Sequence, residues 1–148
     1  MTFDREAFYG IMGRDAFVEL AGVEVVRAEA GFAEVRLPVT AKVLNGHGKV
    51  HGGAIFTLAD YAGAIASNLH GETTMAVNGA ISFMRGVTSG HVTARARTVK
   101  SGKRMKFQVV EVFDAEERLV ATFQGGSMHV PRRDGSGDEA AGPANCEA

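Results

Sequence analysis

Histidines apart, Asp60 is the only charged side chain between Lys49 and Glu72, and it interrupts an apolar run from Ala54 to Ala66. Burying a carboxylate without partners is expensive, so it is rarely done for stability. Desolvation raises its pKa and nearby N–H donors lower it; a poised base is made by that balance. The blander alternative is a buried Asp satisfied by the backbone of a neighbouring loop. Just upstream, His51-Gly52-Gly53 leads into the same run. The first turn of a helix carries unpaired N–H groups and a partial positive charge, and glycine lets a ligand come close to the backbone. Together these make a candidate oxyanion site for a carbonyl oxygen that gains negative charge.

Spacing constrains that chemistry. Gly52 and Asp60 are eight residues apart, on the order of 12 Å along a helix axis. One carbonyl group cannot be polarised at Gly52 and attacked through Asp60 of the same helix. If both act on one bond, two subunits must supply them, with their helices antiparallel across a two-fold axis. This reading requires a homo-oligomer.

Three other chemistries fit less well. His47 and His51 have the i, i+4 spacing of a metal pair, but that spacing aligns two ligands only on a helix, and Gly46 and Gly48 favour a loop. Gly46-x-Gly48 lacks both the third glycine and the βαβ setting of a dinucleotide site. No Gly-x-Ser-x-Gly elbow occurs, and the single cysteine, Cys146, is among the last three residues, so a serine or cysteine nucleophile is not expected. No metal or cofactor is called for.

The elements that must hold these residues are legible from periodicity. Residues 3–20 carry apolar side chains at helical spacing, broken near Gly13. Two stretches joined at Glu29-Ala30-Gly31 follow, and in the second Ala33, Val35, Leu37 and Val39 alternate with Glu34 and Arg36, as in a half-buried strand. Residues 40–53 read as a glycine-rich loop, and the run from Ala54 to Asn68 as a helix apolar all round, hence largely enclosed, with Gly71 as its stop signal. Four period-two segments then run through Met75–Phe83, Val92–Arg97, Met105–Val109 and Leu119–Phe123, with turn residues between them. In the third, the apolar set Met105, Phe107, Val109 slips phase at Val109-Val110, which suggests a bulge. One apolar helix with a hairpin before it and four antiparallel strands after it implies an α+β fold, a sheet curled around the helix. The expected domain is residues 1–130, with residues 131–148 a tail poor in bulky apolar side chains.

A net charge of −1 predicts no nucleic-acid partner and no binding to an anionic membrane surface. No uncharged run approaches the roughly 18 apolar residues of a membrane span, the N-terminus lacks a signal-peptide pattern, and one cysteine permits no intrachain disulfide. A cytoplasmic protein is expected.

The motif Asn45-Gly46, His51-Gly52-Gly53 and Leu58-Ala59-Asp60, followed by Ile81-Ser82-Phe83-Met84-Arg85, resembles the hotdog-fold acyl-CoA thioesterases of the PaaI type. The likeness runs to about Met128. It implies that Asp60 is the catalytic base or nucleophile, that the Gly52 N–H polarises the thioester carbonyl, that Asn45 positions carbonyl or water, and that His51 orients the site. It also implies dimers, often paired into tetramers, acting on acyl-CoA without a cofactor. Candidate substrate contacts are Gly53, Tyr61 and Phe56 near the acyl group, and Arg85, Lys103 and Arg104, with Lys100, for the CoA phosphates. Many relatives carry Arg-Pro at Arg85-Gly86, and some carry Ser or Thr where this chain has Ala76. The closest rival readings are an acyl-thioester dehydratase or hydratase, and a non-catalytic acyl-CoA sensor.

Overall fold

The computed structural model describes residues 5–69 and 73–131. Gly71 and the tail beyond Pro131 lie outside the described residues. The chain begins with two short helices, α1 (Arg5–Met12) and α2 (Ala16–Ala21). Asp15 caps α2, its carboxylate accepting from the N–H groups of Phe17 and Val18, and Gly22 ends it at φ 83°, a left-handed conformation that costs glycine little. The hairpin β1 (Glu24–Glu29) and β2 (Phe32–Pro38) comes next, then a single 3₁₀ turn (Ala41–Val43) and the long helix α3 (Gly52–Asn68). Strands β3 (Thr74–Phe83), β4 (His91–Ser101), β5 (Met105–Asp114) and β6 (Leu119–His129) complete the chain.

All six strands form one sheet in the order β1-β2-β4-β5-β6-β3, each pair antiparallel. The chain leaves β2, crosses the sheet as α3 and returns at the far edge as β3. The sheet curls around α3, which is the hotdog arrangement. Alanines on the helix (Ala59, Ala62, Ala66) and on the sheet (Ala33, Ala94, Ala96, Ala121) are fully or almost fully buried. Such small side chains let helix backbone and sheet lie close. Leu58, Ile65, Val92, Val110 and Val112 fill the rest of that interface; burying a side chain of this size contributes about 1.5–3 kcal/mol.

Three details differ from the sequence-based expectations. The helix begins at Gly52, with His51 as its cap, so both glycines belong to its first turn rather than to the loop. It is also less enclosed within one chain than its all-round apolarity implied. Gly53, Phe56, Thr57, Asp60 and Ala64 form a partly exposed stripe, because the sheet covers only one side and α2 only part of the other.

The third difference concerns β5. No bulge occurs at Val109-Val110, which pair in register with Arg97 and Ala96 on one side and with Gln124 and Phe123 on the other. The strand alternates strictly, and Lys106, Gln108, Val110, Val112 and Asp114 all face inward. Met105 and Phe107 point away from the helix. The inward face is polar at its start because it meets the end of α3, where the Lys106 ammonium donates to the Ser67 carbonyl (2.8 Å) and so matches the negative end of the helix dipole. Irregular pairing instead falls in β3 between Ala76 and Asn78 and in β4 between Thr98 and Lys100, among other places.

Candidate active site

The first turn of α3 offers four N–H groups. His51 Nδ1 accepts from Gly53 N–H (2.9 Å), and the His51 carbonyl accepts from Ala54 (2.9 Å) and Ile55 (3.1 Å). Only the Gly52 N–H has no partner among the described residues. Because His51 Nδ1 is an acceptor, its ring proton sits on Nε2. A Cβ at position 53 would stand 3.0 Å from that Nδ1, so glycine there gives the imidazole room to cap.

Asn45 is held with equal definition. Its side-chain oxygen accepts from His47 N–H (2.9 Å) and Lys49 N–H (3.2 Å). Two backbone donors identify that atom as oxygen, which leaves the amide nitrogen as an unused donor. Asn45, Lys49, Gly52, Phe83 and Arg85 line one groove of about 390 Å³. Lys49 was missed from sequence. Its stem lies against Gly86, where an added Cβ would be 2.7 Å from the lysine Cδ. A proline ring would crowd that path, so the Arg85-Gly86 departure from Arg-Pro suits a lysine at 49.

Asp60 sits two turns further along the helix, half-buried, with no hydrogen bond or ion pair to any described residue. Burial pushes its pKa up, and the nearby carboxylate of Asp15 adds to the effect. It lines a small cavity between the second half of α3 and the strands beneath. That cavity shares no residue with the groove at Gly52. Within one chain the two halves of the expected chemistry are therefore apart.

The remaining expected contacts are dispersed. Tyr61 is 9% exposed and faces Tyr9 and Asp15 under α2, where burial first, then Tyr9, Asp15 and Glu19, push its hydroxyl up to about 12. Phe56 packs edge-on against Phe123, ring centres 5.4 Å apart. Neither lines the large apolar groove of about 650 Å³ that flanks the start of α3, whose walls are Phe17, Leu20, Val43, Ala54 and Thr57. Gly53 borders that groove. Arg85 lies two residues past the end of β3, whereas Lys103 and Arg104 form the β4–β5 turn beside its first residue. The length of a ten-residue strand, on the order of 30 Å, separates them. Among the described residues no cluster of three His, Cys, Asp or Glu could hold a metal.

The thioesterase superfamily model matches residues 47–121, from the loop before α3 into β6. The chain belongs to the thioesterase superfamily. The acyl-coenzyme A thioesterase PaaI of Escherichia coli is 36% identical over 117 residues, 78% of this chain and 84% of that protein. The proofreading thioesterase EntH of Klebsiella pneumoniae is 31% identical over 133 residues, 86% of this chain and 97% of its own length. The solved structure of E. coli PaaI, from the phenylacetic acid degradation operon, superposes with a TM-score of 0.79 at 35% identity, covering 85% of this chain and 90% of that one. This thioesterase is a thioester hydrolase, with the α+β hotdog architecture of its relatives. Its described helices include none long and apolar enough to cross a membrane.

Proposed function

We propose that this thioesterase acts on acyl-CoA as a homodimer, releasing free acid and CoA at two composite sites. In each, the Gly52 N–H and Asn45 of one chain hold the carbonyl oxygen and Asp60 of the partner subunit activates water. The water oxygen bonds to the carbonyl carbon as its proton passes to the carboxylate. The oxyanion is held at the helix terminus, and the C–S bond then breaks. A thiol of pKa near 8.5 leaves readily as thiolate and takes up the proton. His51 fixes the first turn of α3 rather than touching substrate.

The observation that carries this reading is the separation of Asp60 from the Gly52 groove within one chain. Strand β3 supplies the means of joining them. It ends the sheet, and along ten residues only Thr74 is buried, with Met75, Val77 and Phe83 at least half exposed. Antiparallel pairing of two such edges sets the Arg85 end of one chain beside the Thr74 end of the other. That brings Lys103 and Arg104 of the partner subunit toward Arg85 and Lys49, four cations for the CoA phosphates. The acyl group is assigned to the apolar groove at Phe17 and Leu20, whose breadth suits an aromatic or medium-length aliphatic group.

Release of free thiol across a panel of acyl-CoAs tests the activity. Binding without turnover would favour a sensing module. Complementation tests the composite site. Proline is well tolerated at the first helical position, and His51 at φ −63°, ψ 136° already has the extended backbone that a following proline demands. Gly52→Pro thus deletes one N–H while keeping the helix start, with the exposed Phe83 ring, 3.3 Å from an added Cβ, shifting slightly to make room. Gly52→Pro and Asp60→Asn homodimers should each be inactive, and an equal mixture should regain about one quarter of wild-type activity, since half the dimers are mixed and each has one intact site. A mixture that stays inactive after exchange overturns the arrangement.

A further inference from the structure

The cavity behind Asp60 is about 30 Å³. That is room for roughly one or two water molecules, which need on the order of 10–15 Å³ each in this measure, and far too little for an acyl group. Small residues line it: Gly63 on α3 brings no side chain toward Gln108, and Gly125 on β6 leaves room for the Phe123 ring. Its polar lining is deep inside the protein, with Ser67 1%, Gln108 5% and Ser127 6% exposed.

These three side chains are locked together. The Gln108 amide nitrogen donates one hydrogen to Ser67 Oγ and the other to Ser127 Oγ (2.9 Å). The Ser67 hydroxyl in turn donates to the Gly63 carbonyl (2.8 Å). What remains among the described residues is one unused donor, the Ser127 hydroxyl, and one unused acceptor, the Gln108 side-chain oxygen. With the Asp60 carboxylate and the side-chain amide of Asn78, which also lines the cavity, the space has at least the three or so polar partners an internal water typically has.

We propose that this cavity is a built-in water site that delivers the attacking water to Asp60, with Gln108 and Ser127 as its positioning residues. The inference rests on the proposed hydrolysis and deepens it. Water held on the inner side of the carboxylate is oriented before substrate arrives, and its oxygen becomes the new oxygen of the acid while its proton goes to Asp60. The charged or titratable groups around Asp60 are Asp15 from α2, Tyr61 beside it on α3, and Lys106 from β5 at the helix end. Those parts of β3 and β6 that line the cavity contribute none.

Two variants test this. Ser127→Val fills the space with a residue suited to a strand, and Gln108→Leu removes the polar floor at similar volume. With an acyl-CoA that the wild type turns over, both should lower kcat on the order of 10-fold to 100-fold, the cost of misplacing one reactant, with KM within about two-fold. Both should also move the acid limb of the kcat profile to higher pH, since a carboxylate deprived of its water ionises less easily. Ser127→Thr, which keeps the hydroxyl, should recover more of kcat than valine does. Unchanged kcat and pH profile in a folded Ser127→Val overturns the inference and leaves the hydrolase reading standing. Equal losses for valine and threonine, tracking a fall in melting temperature, assign the network a structural role alone and also overturn it. A wild-type chain that hydrolyses no acyl-CoA refutes the underlying reading, and this one with it.

Discussion

Asp60 and Asp114 are both carboxylates at least partly withdrawn from solvent on regular elements, and the protein treats them in opposite ways. Asp114, 2% exposed at the end of β5, is saturated. Its oxygens accept from the N–H groups of Glu116 (3.1 Å) and Arg118 (2.9 Å) and from the Arg118 guanidinium (2.7 Å). Burial opposes ionisation there, yet the Arg118 and backbone hydrogen bonds together outweigh it and hold the carboxyl below its ordinary range. Asp60 has no such partners, and burial with Asp15 nearby holds it above that range. One carboxylate ties a β-turn together; the other has no such partner among the described residues and is the acid we propose as the base. A satisfied acid marks structure, and an unsatisfied one beside a polar cavity marks chemistry.

Asp60→Asn should break the functional side of this contrast most severely. The expected loss of kcat is on the order of 10²- to 10⁴-fold, with the melting temperature unchanged or raised, as measured by thiol release and calorimetry. An Asn variant with wild-type turnover would remove Asp60 from the mechanism. Asp114→Asn should do the reverse. It weakens the clasp on Arg118 and should lower the melting temperature by several degrees while leaving kcat at 25 °C unaltered.

The two carboxylates also differ in sign against pH. Asp114 has a depressed folded-state pKa, so its contribution to stability is present above the unfolded carboxylate value and is lost as pH falls through the lower folded one. Asp60 has a raised folded-state pKa, so its contribution is complete below the unfolded value and is lost as pH rises through the higher folded one. The stability gained by Asp60→Asn should therefore be largest at neutral pH and fade in acid, whereas the stability lost in Asp114→Asn should shrink below the ordinary carboxylate range. Urea midpoints collected across pH 3–8 would check both signs. The smallest effect is expected from Asp15→Asn. Asparagine caps a helix as well as aspartate, so α2 should survive, and removing the like charge should move the acid limb of the kcat profile slightly to lower pH.

Much of this was legible in the sequence. The hairpin at Gly31, the central helix and the four strands after it follow from periodicity and turn residues. Asp60 stood out because an acid among Leu58, Ala59, Tyr61 and Ala62 has no stabilising excuse. The error on β5 has a clear cause. The apolar set Met105, Phe107 and Val109 and the set Val110 and Val112 suggest a bulge between them, but Met105 and Phe107 simply face out, because the inward places at that level are occupied by Lys106 and Gln108 at the end of α3. No period-two pattern carries that information; it depends on where the helix stops above the strand. The dispersal of Tyr61, Phe56 and the expected CoA-binding cations Arg85, Lys103 and Arg104 was equally hidden, being set by strand order. Lys49 could have been found from sequence, since Gly86 in place of proline signals a neighbour that needs the space.

The bare edge of β3 has a consequence outside catalysis. Ten residues with unpaired backbone groups and apolar side chains form a template onto which any extended polypeptide can add. Chains that associate along this strand withdraw the template from circulation. Dilution that separates them should then erode turnover and colloidal behaviour together, and a substitution tolerated by the chemistry can still be punished as precipitation.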